Sequence, residues 1–205
     1  MSHYQQTDRR ALYAVLDQAL VAHLSIVRHG CPMALPVGFA RDGDSILIHG
    51  STGSAFFRDV AEGQEFCVNV THLDGIMYAR SLFDSSMRYR AAVIYGRASV
   101  VSAQKKEAAL LKLAEHLMPQ RQREIRPMTQ KELAATMVLR IPLETASVKD
   151  NRASSPDEPN DDHSVWAGTL PLHVVAGEPE TSSATQSGVA PPESVLTMKA
   201  RFTTQ

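Results

Sequence analysis

This chain of 205 residues has two cysteines, one tryptophan and no excess of charge of one sign. The few cysteines and the balanced charge each exclude a class of protein. The two cysteines, Cys31 and Cys67, form no CxxC pair, so neither a zinc site nor a disulfide framework is predicted. The formal net charge is −1 and no basic run is present. Non-specific nucleic-acid binding needs a basic surface, so no nucleic-acid partner is expected.

Long apolar runs and catalytic motifs are absent as well. No segment approaches the roughly 18 apolar residues that a membrane-spanning helix needs, and the polar start MSHYQQTDRR has no signal-peptide core. We therefore expect no membrane association and a cytoplasmic location. The chain contains no HExxH and no GxSxG motif, so hydrolase and metalloenzyme functions lack support and no metal site is predicted.

The chain does contain five or six short β-rich segments in quick succession. Asp42-Gly43 and Asp74-Gly75 predict tight turns between them, because both residue types tolerate positive φ. Such a series of strands closes most economically as a small antiparallel barrel. Residues 137–149 are predicted to return as one further strand of it.

Helical spacing of apolar residues predicts helices that flank these strands. The predicted helices cover 8–22, 54–62 and 103–118, with a short one opening at Thr129, where Glu132 completes the spacing of a capping box. The domain is expected to span 1–175. Residues 176–205 read as a polar tail that is disordered or docks on a partner subunit.

The segment ILIHGSTGS, residues 46–54, is the first candidate site. It begins as a strand and ends in small polar residues just before a predicted helix. One interpretation is a strand-to-helix turn without a ligand. The other is a phosphate-binding loop, in which the hydroxyls of Ser51, Thr52 and Ser54 donate to phosphate oxygens and Arg58 adds charge.

Two further segments are weaker candidates. Arg88 and Arg90 in MRYRAAVIYG share one strand face and Tyr89 lies on the other, so a basic face beside a phosphate or an ordinary solvated face are both open. The single tryptophan, Trp166, follows an acidic loop and precedes Gly168. It is interpreted either as a core or interface residue or as a ring contact for a ligand.

The order of several segments carries a resemblance that none of them carries alone. LPVGFARDGDSILIHGSTGS, CVNVTHLDGIMYARS, YRAAVIYGRA, ELAATMVLRIPLETASVK and VWAGTLPL follow one another over about residues 8–173. In this order they resemble the pyridoxamine 5′-phosphate oxidase-like superfamily of FMN-binding split barrels, in its flavin-nucleotide-binding branch related to nitroimidazole-resistance proteins.

The resemblance implies a fold and a site. The fold would be mainly β with α, a six-stranded antiparallel split β-barrel with flanking helices, and FMN would lie at the interface of a homodimer. The strand Leu35–Phe39 would lie along the isoalloxazine ring, His49–Ser54 on the phosphate side, and Trp166 across the interface. The cofactor-binding residues implied in this way are Leu35, Pro36, Val37, Gly38, His49, Gly50, Ser51, Thr52, Gly53, Ser54, Arg58, Tyr89, Arg90 and Trp166.

The function implied is that of an FMN-binding protein, with flavin-dependent oxidoreduction of a small molecule as its activity. No acid or base stands out, and His49 is the one candidate to supply a proton. Three departures from the family pattern are Ala91 in place of Ser, Asn151 in place of Arg, and Arg58 as the only cation of the phosphate-side helix. The alternatives are a non-catalytic flavin carrier or sensor, or a haem protein on the same barrel with a histidine as axial ligand.

Overall fold

The computed structural model describes residues 5, 6, 8–152 and 160–203. Within that part of the chain there are ten strands, five α-helices and a short 3-10 helix at Arg121–Arg123. The helices are α1 Arg9–Gln18, α2 Ala55–Ala61, α3 Ala103–Leu117, α4 Gln130–Ala135 and α5 Glu193–Arg201. None of these helices has the length and apolar character needed to cross a bilayer.

The strands form one antiparallel sheet. They are β1 Gln5–Gln6, β2 Val21–Arg28, β3 Cys31–Arg41, β4 Ser45–Ser51, β5 Phe66–Tyr78, β6 Ser86–Gly96, β7 Ser99–Val100, β8 Thr136–Pro142, β9 Thr145–Asn151 and β10 Gly168–Pro171. Their order in the sheet is β1-β9-β6-β5-β2-β3-β4-β8-β7, and β10 pairs with the second half of β5. The sheet curls into a half-barrel, which confirms the predicted split-barrel class with more strands than the six expected.

The inner face of the sheet holds the main core. Helix α1 packs Leu12, Val15 and Leu16 into it, and α2 adds Phe56, Phe57 and Val60. At roughly 1.5–3 kcal/mol for each fully buried large apolar side chain, these two short helices are held mainly by this packing.

Among the described residues, helix α3 covers the outer face at one end. Helix α3 buries Ala109 and Leu113 against Ala40, Leu47 and Val138 of β3, β4 and β8. The outer surface of β9, β6, β5 and β2 lies beyond this cluster. Several large apolar side chains there are about half exposed, among them Val21, Leu73, Met87 and Tyr95.

Local turn and capping predictions are confirmed where they depend on neighbouring residues. At Asp42-Gly43 the amide of Asp42 donates to the carbonyl of Ser45 at 2.8 Å, and Gly43 has φ +61°. The capping box that opens α4 is present, with Thr129 and Glu132 bonding each other's main-chain amides.

The prediction of a turn at Asp74-Gly75 is wrong. Strand β5 continues through both residues, and the register against β6 shifts there by a β-bulge. Strand β10 occupies this edge so closely that a Cβ on Gly75 would lie 2.7 Å from the carbonyl oxygen of Leu170. The glycine therefore serves close strand packing rather than a reversal of the chain.

The predicted strand 137–149 is two strands. Strand β8 ends at Pro142 and pairs with β4, whereas β9 starts at Thr145 and pairs with β6 on the far side of the sheet. Proline has no amide to continue a ladder, so the chain turns at this corner.

The segment from 176 to 203 differs from the expected tail. Helix α5 contacts the body of the same chain, where the amide and hydroxyl of Ser194 donate to the carboxylate of Glu124 at 2.9 and 2.6 Å. Arg201 donates to the carbonyls of His116, Asp17 and Gln18 at the ends of α3 and α1. A guanidinium matches the carbonyls and the negative dipole at two helix ends, which explains why the helix docks there.

Candidate functional site

The sheet splits along one edge of β3. Strand β3 pairs with β2 over Cys31–Gly38, but its pairing with β4 is recorded only for 39–41 and ends at Phe39 opposite Ile48. Beyond that point β4 stays with β8, through His49 opposite Val138 and Ser51 opposite Thr136. An opening therefore lies between residues 31–38 of β3 and the end of β4.

The main-chain groups that face this opening follow from the turn between β2 and β3. His29 and Gly30 both have positive φ and form a two-residue turn, so Arg28 and Cys31 are the hydrogen-bonded pair next to it. Alternate residues along β3 then direct their main-chain groups to opposite edges. Those of Ala34 and Pro36 face the opening, whereas those of Leu35 and Val37 face β2.

The side chains of this stretch fix its position. Val37 is buried in the core and Leu35 packs against it, so the predicted ring-side strand is anchored from within. On the other face, a Cβ on Gly38 would lie 3.1 Å from the Leu117 side chain of α3. Gly38 thus allows the end of α3 to approach β3 closely beside the opening.

The loop His49–Ser54 lies on the opposite side of the opening from β3. Hydrogen bonds within the loop and to Ala135 hold it in place. The amide and hydroxyl of Thr52 donate to the carbonyl of Ala135 at 3.0 and 3.2 Å, and the amide of Gly53 donates to the Ser51 hydroxyl at 3.1 Å. Ser54 donates its amide to the carbonyl of Ser51, and its hydroxyl caps α2 by accepting from Phe57. The amides of Thr52, Gly53 and Ser54 are therefore used. The Thr52 hydroxyl is used as well, contrary to its predicted phosphate contact, and the hydroxyl hydrogens of Ser51 and Ser54 remain for a ligand.

Arg58 reinforces the same loop. Its Nη1 donates to the carbonyls of Thr52 and Gly53, at 3.3 and 2.8 Å. The predicted cation of the phosphate side is thus brought to the loop, one helical turn after Ser54. Its other guanidinium nitrogens have no hydrogen bond to the described residues.

The ring of Phe57 packs directly against Gly50. A Cβ at this position would lie 2.5–2.7 Å from three atoms of Phe57, which is closer than Cβ atoms approach in real structures. Phe57 is buried at the start of α2. The pair therefore sets how closely α2 approaches the end of β4 and where the loop lies.

His49 is exposed at the strand end beside this loop. The surrounding protein still removes part of its ring from water, and this desolvation lowers the pKa of His49. The ring is accordingly neutral at pH 7. It makes no hydrogen bond to any of the described protein groups.

The structure does not bring Tyr89 and Arg90 to the same edge. They lie on β6, three strands from β3. Arg90 donates from Nε and Nη2 to both carboxylate oxygens of Asp74, at 2.8 and 2.7 Å, and from Nη1 to Gln18 at 2.7 Å. Burial alone would raise the pKa of Asp74, but the hydrogen bonds and charge of Arg90 outweigh it and the pKa is lowered.

Tyr89 points to the outer face, where it lines a cavity of about 560 Å³. The ammonium of Lys149 lies 5.2 Å from the centre of its ring. The cavity spans β5, β6 and β9 and is lined by Asn69, Thr71, Leu73, Met87, Tyr89, Ala91, Val93, Ser147 and Lys149. Sequence reasoning missed this surface, although apolar residues on both faces of β6 were a signal for it.

Trp166 stands apart from the split within one chain. Its side chain is 67% exposed, its ring centre lies 5.9 Å from that of Tyr78, and it packs on Gly168 at the start of β10. One chain therefore assembles Leu35–Gly38, His49–Ser54 and Arg58 around the opening, and leaves Tyr89, Arg90 and Trp166 elsewhere.

A curled antiparallel sheet with one opened edge, a hydroxyl-rich loop and a short helix after it defines a split-barrel protein. The family model described as pyridoxamine 5′-phosphate oxidase matches residues 8–150. The chain belongs to that family.

Solved structures add more specific likenesses. The FAD and haem binding protein from Mycobacterium smegmatis is 40% identical, with 96% of this chain and 97% of that chain covered and a TM-score of 0.92. The flavocytochrome Anf3 from Azotobacter vinelandii is 28% identical, covers 95% and 91%, and has a TM-score of 0.88. A 5-nitroimidazole antibiotic resistance protein from Bacteroides thetaiotaomicron shares the fold at 16% identity, covers 71% and 85%, and has a TM-score of 0.60.

A curated protein matches only a short stretch. The β subunit of DNA-directed RNA polymerase from Paracoccus denitrificans is 34% identical in an alignment of 82 positions that covers 32% of this chain and 6% of that subunit. The chain thus spans a small part of the polymerase subunit, too little to indicate a shared function.

Proposed function

We propose that this protein binds a flavin in the opening between β3 and the loop His49–Ser54, and that it is a flavin-dependent redox protein of the cytoplasm. The observation that carries the proposal is the edge of β3, where main-chain groups of Ala34 and Pro36 are left beside a loop of hydroxyl groups. A flavin has a polar ring edge and a phosphate that would use these two features. The likeness to a FAD and haem binding protein at 40% identity supports the same conclusion.

Different residues of the opening would bind different parts of the cofactor. The β3 edge would bond the ring, Leu35 and Val37 would hold that edge in place through the core, and Ser51, Ser54 and Arg58 would bind the phosphate side. A bound flavin supplies hydride and single-electron transfer, and the protein supplies orientation and electrostatics. His49, whose lowered pKa leaves its ring neutral at pH 7, would accept a proton beside the flavin ring.

The sequence predicts FMN, whereas the likeness to the mycobacterial protein favours FAD. Both cofactors share the ring and the first phosphate, so the same residues would serve either of them. Chromatography of the flavin released by heating the purified protein distinguishes the two.

Haem is the second group that we propose. Both highly similar structures are of proteins named for it, a FAD and haem binding protein and a flavocytochrome. His72 and His116 use Nε2 on the main-chain carbonyls of Val15 and Ala19, at 2.9 and 2.7 Å. His23 and His49 are exposed, on strands either side of β3, and we propose one of them as the axial ligand.

The site is proposed to be completed by a second copy of the chain. Trp166 and Tyr89 lie outside the opening of one chain, so they can contribute only from a partner that faces it. The small-molecule substrate would then enter on the ring face left open between the copies. Reduction of the bound flavin by NADH or NADPH, with substrate reoxidising it, would distinguish an oxidoreductase from a carrier.

The phosphate assignment has a sharp test at Ser54. Ser54→Ala removes the cap of α2 and should lower stability by about 1 kcal/mol. Ser54→Asp keeps a good cap but puts a negative charge where the phosphate is proposed. We expect Ser54→Asp to be as stable as wild type and to bind flavin at least about tenfold more weakly, measured by flavin fluorescence during titration.

Ser102→Asp at the start of α3 is the matched control, because it adds the same charge at another helix start. It should leave flavin affinity unchanged. Equal flavin affinity for Ser54→Asp and wild type would refute the phosphate assignment. The absorbance spectrum of the untreated protein, with flavin bands and a Soret band expected, tests the two cofactors themselves, and His23→Ala and His49→Ala show which residue the Soret band depends on.

A further inference from the structure

The tip of the β5–β6 hairpin presents two apolar side chains to solvent. Leu82 is 95% exposed and Phe83 is 96% exposed. Scattered half-exposed apolar residues are common on protein surfaces, but two adjacent large side chains with almost no contacts are not.

The tip is rigidly built. The amide of Asp84 donates to the Ser81 hydroxyl at 3.1 Å, and that hydroxyl donates to the Asp84 carboxylate. The Ser85 hydroxyl donates to the carbonyl of Ser81 at 2.7 Å and accepts from the amide of Ala79 at 3.0 Å. These bonds fix residues 79–85, so Leu82 and Phe83 are held outward.

The same hairpin also carries a surface that such a tip would fit. Its outer face forms one side of the 560 Å³ cavity, with Leu73, Met87 and Val93 as apolar lining and Lys149 beside them. The tip therefore offers apolar groups next to the negative Asp84, and the cavity offers apolar walls next to a positive side chain. Tip and cavity are complementary in both hydrophobicity and charge.

In a two-fold symmetric dimer each tip would be buried in the cavity of the other copy, so the same contact would form twice. In such a pair each patch of one copy meets a different patch of the other, and the reverse contact follows by symmetry. We propose that Leu82 and Phe83 of each copy insert into the outer-face cavity of a second copy of this chain. This inference rests on the proposed function only in that it names the contact that completes the interfacial flavin site.

Position in the sheet links this contact to the site. Asn69 and Val93 of the cavity lie in the same cross-strand row as His23 and Pro36. The cavity lies on β5, β6 and β9, two to four strands from β3 in the same sheet. The contact would thus place the second copy on the sheet that carries the proposed flavin site.

The test is the strength of self-association of the full chain, measured by sedimentation over a concentration series. Leu82→Ser with Phe83→Ser should weaken the dimer by at least about tenfold, because both apolar groups lose their burial. Val174→Ser, which changes an 80% exposed side chain outside the tip and outside the cavity lining, is the matched control and should leave association unchanged.

The charge contact is tested separately. Lys149→Glu should weaken the dimer, since it places a carboxylate opposite Asp84. Asp84→Lys combined with Lys149→Glu should recover part of the loss. Unchanged association of the Leu82/Phe83 double variant, or a wild type that stays monomeric at all concentrations, would overturn the inference.

Two further readouts keep the alternatives apart. Binding of wild type but not the double variant to anionic phospholipid vesicles, with both still dimeric, would assign the tip to a lipid surface and overturn the proposal. Flavin absorbance is measured on the same samples. Loss of the dimer with flavin retained would support the tip contact and refute completion of the flavin site by a second copy, whereas absent flavin in an intact dimer refutes the proposed function instead.

Discussion

Substitution of Gly50 by alanine tests how the loop of the proposed flavin site is positioned. Gly50 does not have positive φ, so alanine suits its backbone, and in an open strand this change would stabilise by about 0.4–1 kcal/mol. The new Cβ would however stand 2.5 Å from the Phe57 ring, about 1 Å inside ordinary contact. Phe57 is buried, so the ring or the start of α2 must move.

Overpacking of this kind costs about 1–3 kcal/mol. For a chain of this size we expect Gly50→Ala to lower the melting temperature by about 2–12 °C and to reduce flavin retention. Gly177→Ala, where no atom lies within 4 Å of the added Cβ, should change neither. The measurement is thermal and urea unfolding followed by far-UV circular dichroism.

A second change isolates the contact. Phe57→Leu removes part of the ring, and by itself it should destabilise because it leaves a small void. Combined with Gly50→Ala it should destabilise by clearly less than the sum of the two single effects, since the added methyl then has room. Gly50→Ala at wild-type stability, or strict additivity in the double variant, would refute the reasoning.

Three other changes test contacts described above. Asp74→Asn should lower the free energy of unfolding by about 1.5–3 kcal/mol at pH 7, because Arg90 loses a bidentate charged partner. The pKa of Asp74 is lowered in the folded state, so this loss should be complete above the ordinary pKa of 3.8 and should shrink at lower pH. Urea unfolding repeated over that pH range measures it. Arg201→Ala should speed proteolytic cleavage between 176 and 192 while Lys105→Ala does not, and equal cleavage rates would show that the guanidinium does not hold α5. Thr129→Ala should cost about 1 kcal/mol through the lost capping box, a loss that hydrogen exchange of the α4 amides would localise.

The elements that the sequence predicts well are those decided by neighbouring residues. The turn at Asp42-Gly43 and the capping box at Thr129 need only a few residues each, and both form as expected. The loop His49–Ser54 and Arg58 are likewise close in sequence, so their meeting was predictable.

The contacts that the sequence does not predict depend on strand pairings that only the assembled sheet determines. Arg90 meets Asp74 because of the register between β5 and β6, which a bulge shifts at that very point. Nothing local to Arg90 indicates this partner. Helix α5 shows a different cause: its Glu193 start and Arg201 end are ordinary helix signals, but the Ser-, Thr- and Pro-rich stretch before it suggested disorder.

The unpaired edge of β3 has a consequence for the solubility of the folded chain. Such an edge can recruit a foreign strand and start aggregation. Pro32 and Pro36 both have their missing N–H on this edge, so an incoming strand would find carbonyl acceptors at Pro32, Ala34 and Pro36 but an N–H donor only at Ala34. The gap can thus stay accessible to a small polar ring while being a poor template for another polypeptide.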